Sequence, residues 1–120
     1  MIRPGDVVLA DFVGANGVKQ RPAVVASSAV YHLHRPDLVL GVLTTQLKSA
    51  NTPLDYVLLD WAAAGLHRPW DFRAYFSMSL PAAAQPVGRL TDRDWQGVRA
   101  CLAKTFGFVF PPLAAPKVVP

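Results

Sequence analysis

Pro69-Trp70-Asp71-Phe72-Arg73-Ala74-Tyr75-Phe76-Ser77-Met78-Ser79-Leu80 is the clearest alternation in the chain. Side chains of an extended strand point to opposite faces in turn. Trp70, Phe72, Ala74, Phe76, Met78 and Leu80 therefore share one face, and Asp71, Arg73, Tyr75, Ser77 and Ser79 the other. The pattern predicts a long, half-buried strand, the kind found in antiparallel sheets with one face on a core. Pro81 ends it, and residues 82–86 read as a connector.

Working outward, the rest of the chain is cut into short intervals by 11 Pro and 8 Gly, which favours short strands joined by turns. Residues 7–12 are a short apolar run suited to a strand buried on both faces. A short loop over residues 13–20 follows, with a turn signal at Asn16-Gly17. Residues 21–28 predict a second strand, with Pro22 near its start or on an edge. Residues 31–37 read as a polar, aromatic loop. Residues 38–47 predict a third strand whose even face runs Leu38, Leu40, Val42, Thr44, Gln46, from apolar to polar, as if leaving a core for a site. A fourth strand is predicted over 54–60 and one helical turn over 61–65. Thr91 is a good N-cap for a helix, with Asp94 in the capping-box position and Asp92 beside it in the first turn. Trp95, Val98, Leu102, Thr105 and Phe106 form its apolar stripe, and Gly107 is the expected stop. The expected fold is mainly β with a C-terminal helix: a small, strongly curved antiparallel barrel over residues 1–107, followed by a Pro-rich tail over 108–120.

The chain has 120 residues, enough for one domain and its core but not for a full dinucleotide-binding fold or a TIM barrel. It is 52% hydrophobic and only 17% charged, a low charge for so small a domain, so a partner surface is expected. Twelve Lys and Arg against eight acids leave +4, a mild bias towards polyanions. All eight acids are Asp, which excludes paired-Glu acid–base chemistry. The single cysteine, Cys101, excludes a disulfide framework or a Cys-rich zinc site within one chain and reads as a small core residue. With no apolar signal core and no membrane-length run, a cytoplasmic protein is expected.

Phosphate-loop, dinucleotide and His-Glu-x-x-His motifs are absent. His32 and His34, two apart, share a face of an extended segment and could hold zinc given a third ligand. None stands nearby, and a solvated or dimer-facing loop is the plainer reading. Lys19-Gln20-Arg21 enters the second strand, and Thr44-Thr45-Gln46-Leu47-Lys48 leaves the third. If the two strands are neighbours, Arg21, Thr44 and Gln46 meet. An Arg fork grips phosphate, a hydroxyl donates to a phosphoryl oxygen and an amide reads base edges. The plain alternative pairs Arg21 with an Asp and leaves the threonines as strand formers. Arg73 could reach a bound strand or pair with Asp71.

Gly5-Asp6-Val7-Val8-Leu9-Ala10-Asp11-Phe12, then Arg21-Pro22-Ala23-Val24-Val25, Leu43-Thr44-Thr45-Gln46, Ala64-Gly65-Leu66 and Val87-Gly88-Arg89-Leu90-Thr91 together resemble the MazF/PemK toxins, in the right order over residues 3–107. The resemblance implies an SH3-like barrel, a homodimer, and a metal-independent endoribonuclease that cuts single-stranded RNA, mostly mRNA, and is held in check by a cognate antitoxin. It implies no cofactor. It carries Arg21 and Thr44 over as catalytic residues, with Thr45 a rival one register step away. Lys19, Gln20, Thr45, Gln46, Lys48 and Arg73 would hold or read the RNA. A non-catalytic toxin on the same barrel, a gyrase inhibitor of the CcdB type, or a degenerate RNA-binding module is the alternative.

Overall fold

A computed structural model of the chain describes residues 1–45 and 52–108. Six strands and two helices follow one another: β1 Asp6–Gly14, β2 Gly17–Val25, α1 Ala29–His34, β3 Leu38–Thr44, β4 Asp55–Val57, β5 Asp71–Ser79, β6 Gln85–Arg89 and α2 Asp92–Phe106. The strands form one antiparallel sheet in the order β4-β5-β3-β2-β1-β6, curled into a half-barrel.

β1 and β2 make a long hairpin, with Val7 opposite Val24 at one end and Gly14 opposite Gly17 at the other. The turn therefore falls on Ala15-Asn16, one residue before the expected pair, and Gly17 takes the left-handed conformation at φ +101°. The expected loop over 13–20 is instead regular hairpin, because cross-strand pairing continues through Val13–Val18 and Phe12–Lys19. Residues 31–37 also differ from the expected loop: Ser28 caps α1 by accepting from the Tyr31 N–H at 3.1 Å. That helix is too short and too exposed to leave an apolar stripe in the sequence. The expected connector at 82–86 holds a 3-10 turn, Pro81–Ala83, and the start of β6, so the sheet has six strands rather than five. Pro86 is tolerated because β6 is an edge.

The two faces of the sheet carry two cores. Val7, Val24, Leu43 and Phe72 pack with Val98, Cys101 and Leu102 of α2. Val8, Ala10, Ala23, Val25, Leu40 and Val42 pack together on the opposite face. β5 departs from the simple alternation. Phe72 is buried as expected, but Asp71, assigned to the polar face, is fully buried, while Met78 and Leu80 are more than half exposed. An irregularity between Gly41 and Leu43 shifts the β3–β5 register, and Gly41 leaves room for the Phe72 ring, with which a Cβ there would collide. Phe106, expected on the buried stripe of α2, is also largely exposed and lies against the Phe76 ring at 5.5 Å.

Thr91 caps α2 as expected, accepting from the Asp94 N–H at 3.4 Å, and Gly107 closes the helix at φ +74°. Asp94 does not complete a capping box. Its carboxylate is fully buried and accepts from the Tyr56 hydroxyl at 2.7 Å and from the backbone N–H groups of Leu59 at 3.0 Å and Asp60 at 2.7 Å. Asp60 in turn accepts from Thr91 Oγ1 at 2.7 Å and from Arg93 at 2.6 and 3.1 Å. This latch bends the chain away after Val57, so the expected fourth strand over 54–60 stops at three residues. No helix among the described residues is long and apolar enough to cross a membrane.

Candidate active site

The β2–β3 ladder pairs Val25 with Leu40, Val24 with Gly41 and Ala23 with Val42. Continued by two residues, that register sets Arg21 against Thr44. The ladder has ended by then, and Arg21 and Thr44 both line a cavity of about 380 Å³. The strand neighbourhood that the sequence could only suppose is therefore present. The even face of β3 runs as expected, from Leu38, Leu40 and Val42 in a core to Thr44 at the cavity.

Three walls surround the cavity. The hairpin supplies residues 12–17, Lys19 and Arg21; β3 supplies Val42 and Thr44; β5 supplies Arg73 and Tyr75. Lys19 and Arg21 are two apart on β2 and so share a face, as do Arg73 and Tyr75 on β5. Tyr75 ties the walls together: its hydroxyl donates to the Val13 carbonyl at 3.0 Å and its ring lies 6.3 Å from that of Phe12. Among the described residues, three cationic side chains and no acid line the space. A pocket of that kind attracts phosphate, and a half-buried guanidinium holds it more firmly than a solvated one would.

Of the residues singled out in the sequence, the structure brings Lys19, Arg21, Thr44 and Arg73 to this cavity. Thr45 is exposed and outside its lining, so register favours Thr44 for the site hydroxyl. Gln20 pairs with Asp11 and, by alternation, points to the other face of β2. Gln46 and Lys48 lie outside the described residues. Tyr75 and the hairpin tip were missed; the signal available was that Tyr75 shares the face of Arg73.

Behind the lining lies Asp71, the register partner of Thr44 across β3 and β5. Its carboxylate is 3.5 Å from Arg73 Nε, and neither of its oxygens accepts a full hydrogen bond among the described residues. Burial raises its pKa to about 6, the charge of Asp55 adds to the rise, and Arg73 opposes it. Elsewhere burial, then the bond to Asp94, raises the Tyr56 hydroxyl well above its ordinary range, and burial raises Cys101.

No group of three His, Cys, Asp or Glu side chains suited to a metal ion occurs among the described residues. His32 Nε2 lies 2.6 Å from Ser27 Oγ, which also accepts from the Val39 N–H at 3.1 Å, so this imidazole joins α1 to β3.

The fold is shared with solved toxins. An endoribonuclease in complex with its cognate antitoxin, from a mycobacterial species, superposes with a TM-score of 0.70 at 17% identity, covering 92% of this chain and all of the other. Toxin MazF-mt6 of Mycobacterium tuberculosis gives 0.69 at 14% identity over 88% of this chain and 99% of its own. A MazE-MazF complex from Deinococcus radiodurans gives 0.68 at 21% identity over 90% and 98%. No curated protein matches in sequence. The profile of one family, described as PemK-like, MazF-like toxin of type II toxin-antitoxin system, matches residues 3–106. With nearly the whole chain matched and the β half-barrel in agreement, this chain belongs to the MazF/PemK family of type II toxins.

Proposed function

We propose that this toxin is a metal-independent endoribonuclease that cuts single-stranded RNA at short sequences, with Arg21 and Thr44 at its centre. The observation that carries the reading is the cavity where Arg21, Thr44, Lys19 and Arg73 converge with no acid in the lining among the described residues. RNA brings its own nucleophile, the 2′-hydroxyl, so the protein need only hold the strand and stabilise charge. The 2′-oxygen bonds to phosphorus as the bond to the 5′-oxygen breaks, leaving a 2′,3′-cyclic phosphate and a 5′-hydroxyl. One proton leaves the 2′-hydroxyl for solvent, and one reaches the 5′-oxygen from Arg21, which solvent reprotonates. Charge grows on the non-bridging oxygens, where the guanidinium acts. Arg21 is no general base, since a guanidinium offers only donors and no acceptor for the 2′-hydroxyl proton. Thr44 orients the scissile phosphate, and Lys19 and Arg73 hold its neighbours; Gln20 and Thr45 are left to contacts along the strand outside the cavity, and Gln46 and Lys48 keep the RNA-binding role that the family resemblance gives them.

A second copy of the chain and a cognate antitoxin complete the picture, and both act in the cytoplasm. The exposed Met78, Leu80, Leu59 and Phe106 are apolar surface of the kind such partners cover. The test is cleavage of a long single-stranded RNA in EDTA by the wild type, Arg21→Ala and Thr44→Ala. Removing a charge stabiliser of this kind is expected to slow cleavage by about 10²–10³-fold. Unchanged rates in both variants overturn the site, loss of wild-type activity in EDTA overturns the metal-free reaction, and binding without cutting favours a non-catalytic toxin.

A further inference from the structure

Among the described residues Asp71 is the one fully buried carboxylate beside the cavity, and the RNA-cleavage steps leave it unused. It is fully buried and lines none of the cavity, so it acts on the cavity through its neighbours. Its surroundings are mixed. Arg73 stands two residues along its own strand; Thr44 faces it from β3; Asp55 acts on it from β4, and the Tyr56 backbone stabilises its charged form. From α2 the thiol of Cys101 feels its charge, with Lys104 beside that thiol. Only Arg73 brings it a cation at close range among the groups acting on it. Arg73 has its Nε side towards Asp71 and its side chain 28% exposed in the cavity wall. A long arginine at a surface samples many rotamers, and a fixed anion at Nε removes much of that freedom before a ligand arrives.

We propose that Asp71 is a positioning residue: it holds the Arg73 guanidinium on the β5 wall, across the cavity from Arg21 and Lys19 on β2, so that the phosphates of a bound single strand are gripped from two sides. The proposal rests on the nucleic-acid reading of the cavity. It also makes the grip acid-sensitive, because a protonated Asp71 no longer restrains Arg73. A buried anion near a phosphate path also repels that phosphate, and the two effects of removing it have opposite signs. Loss of restraint weakens binding; loss of repulsion tightens it. The measurement therefore separates a positioning role from a bystander.

The probe is a fluorescein-labelled 2′-O-methyl RNA of mixed sequence, which lacks the attacking hydroxyl and cannot be cut. Anisotropy is read at pH 7.5 and pH 5 for the wild type, Asp71→Asn, Arg73→Ala and the double variant. At pH 7.5 Asp71→Asn is expected to weaken binding about fivefold and Arg73→Ala about tenfold, the scale of one charge-assisted contact. The double variant is expected to match Arg73→Ala alone, because Asp71 acts through Arg73. Going to pH 5, the wild type loses affinity relative to Asp71→Asn, a comparison in which the histidines cancel. Unchanged or tighter binding by Asp71→Asn, additive effects in the double variant, or parallel pH profiles overturns the proposal. Cleavage of ordinary RNA is assayed on the same proteins. If the wild type binds but does not cut, the nuclease reading fails while the binding series still decides the role of Asp71.

Discussion

Replacing Asp94 by Ala tests the latch that joins α2 to the end of β4. The carboxylate is fully buried and accepts three hydrogen bonds, from Tyr56 Oη at 2.7 Å, Leu59 N at 3.0 Å and Asp60 N at 2.7 Å. Hydrogen bonds to a charged acceptor contribute about 1.5–3 kcal/mol each, and truncation also strands the donors in a partly dry site. The bonds are not independent, so the expected loss is about 3–5 kcal/mol rather than their sum. A small domain holds only about 5–15 kcal/mol in all, so this variant sits near the edge of folding. Asp94→Asn keeps the oxygen that serves Tyr56 and Leu59 but turns an amide NH₂ towards the Asp60 N–H. Its expected loss is smaller, about 2 kcal/mol. Urea unfolding of wild type and both variants, with the slope checked for constancy, measures the order. Absorbance titration of Tyr56 adds a local probe: burial and the Asp94 bond hold its hydroxyl high, and the Asn variant is expected to bring it down. A loss below about 1 kcal/mol for Asp94→Ala at unchanged slope would refute the latch.

Gly41→Ala places a Cβ against the Phe72 ring, which lies in the core, so Phe72 must shift; a loss of about 1–3 kcal/mol is expected on thermal unfolding. Asp71→Asn is expected to stabilise the chain at neutral pH. The folded-state pKa of about 6 stands above the ordinary 3.8, so the folded form binds the proton more tightly and stability falls as pH rises through that window. Removing the charge restores at most about 3 kcal/mol above pH 6 and nothing below about pH 4. Urea midpoints at pH 4 and pH 7.5 check it, and an Asn variant less stable at pH 7.5 would contradict the assignment. Gained stability alongside weakened RNA binding is the signature of a residue kept for its site rather than for the fold.

What could be read from the residues was whatever a local pattern encodes. The Thr91 cap, the Gly107 stop and the stripe of Trp95, Val98 and Leu102 define α2 within the helix itself. The even face of β3 already showed where a core gives way to a site, because alternation is a property of one strand. The strand order was not legible, since pairing joins residues far apart in sequence, and neither was β6, whose Gln85-Pro86-Val87-Gly88-Arg89 looks like a connector until β1 offers it an edge.

β5 marks the boundary. Its alternation correctly announced a strand with Phe72 inward. Burial of Asp71 and exposure of Met78 and Leu80 depend on the shifted register with β3 and on where α2 and β4 end. The same holds at the site. The sequence supplied Arg21, Thr44, Lys19 and Arg73 as chemistry, and five short motifs in order pointed to the family. That Thr44 rather than Thr45 enters the cavity, that Gln20 turns away, and that Asp71 stands behind Arg73 were decided by the tertiary structure. Pairing register chooses the face of every side chain, and register is set by contacts between strands that no single stretch of sequence contains.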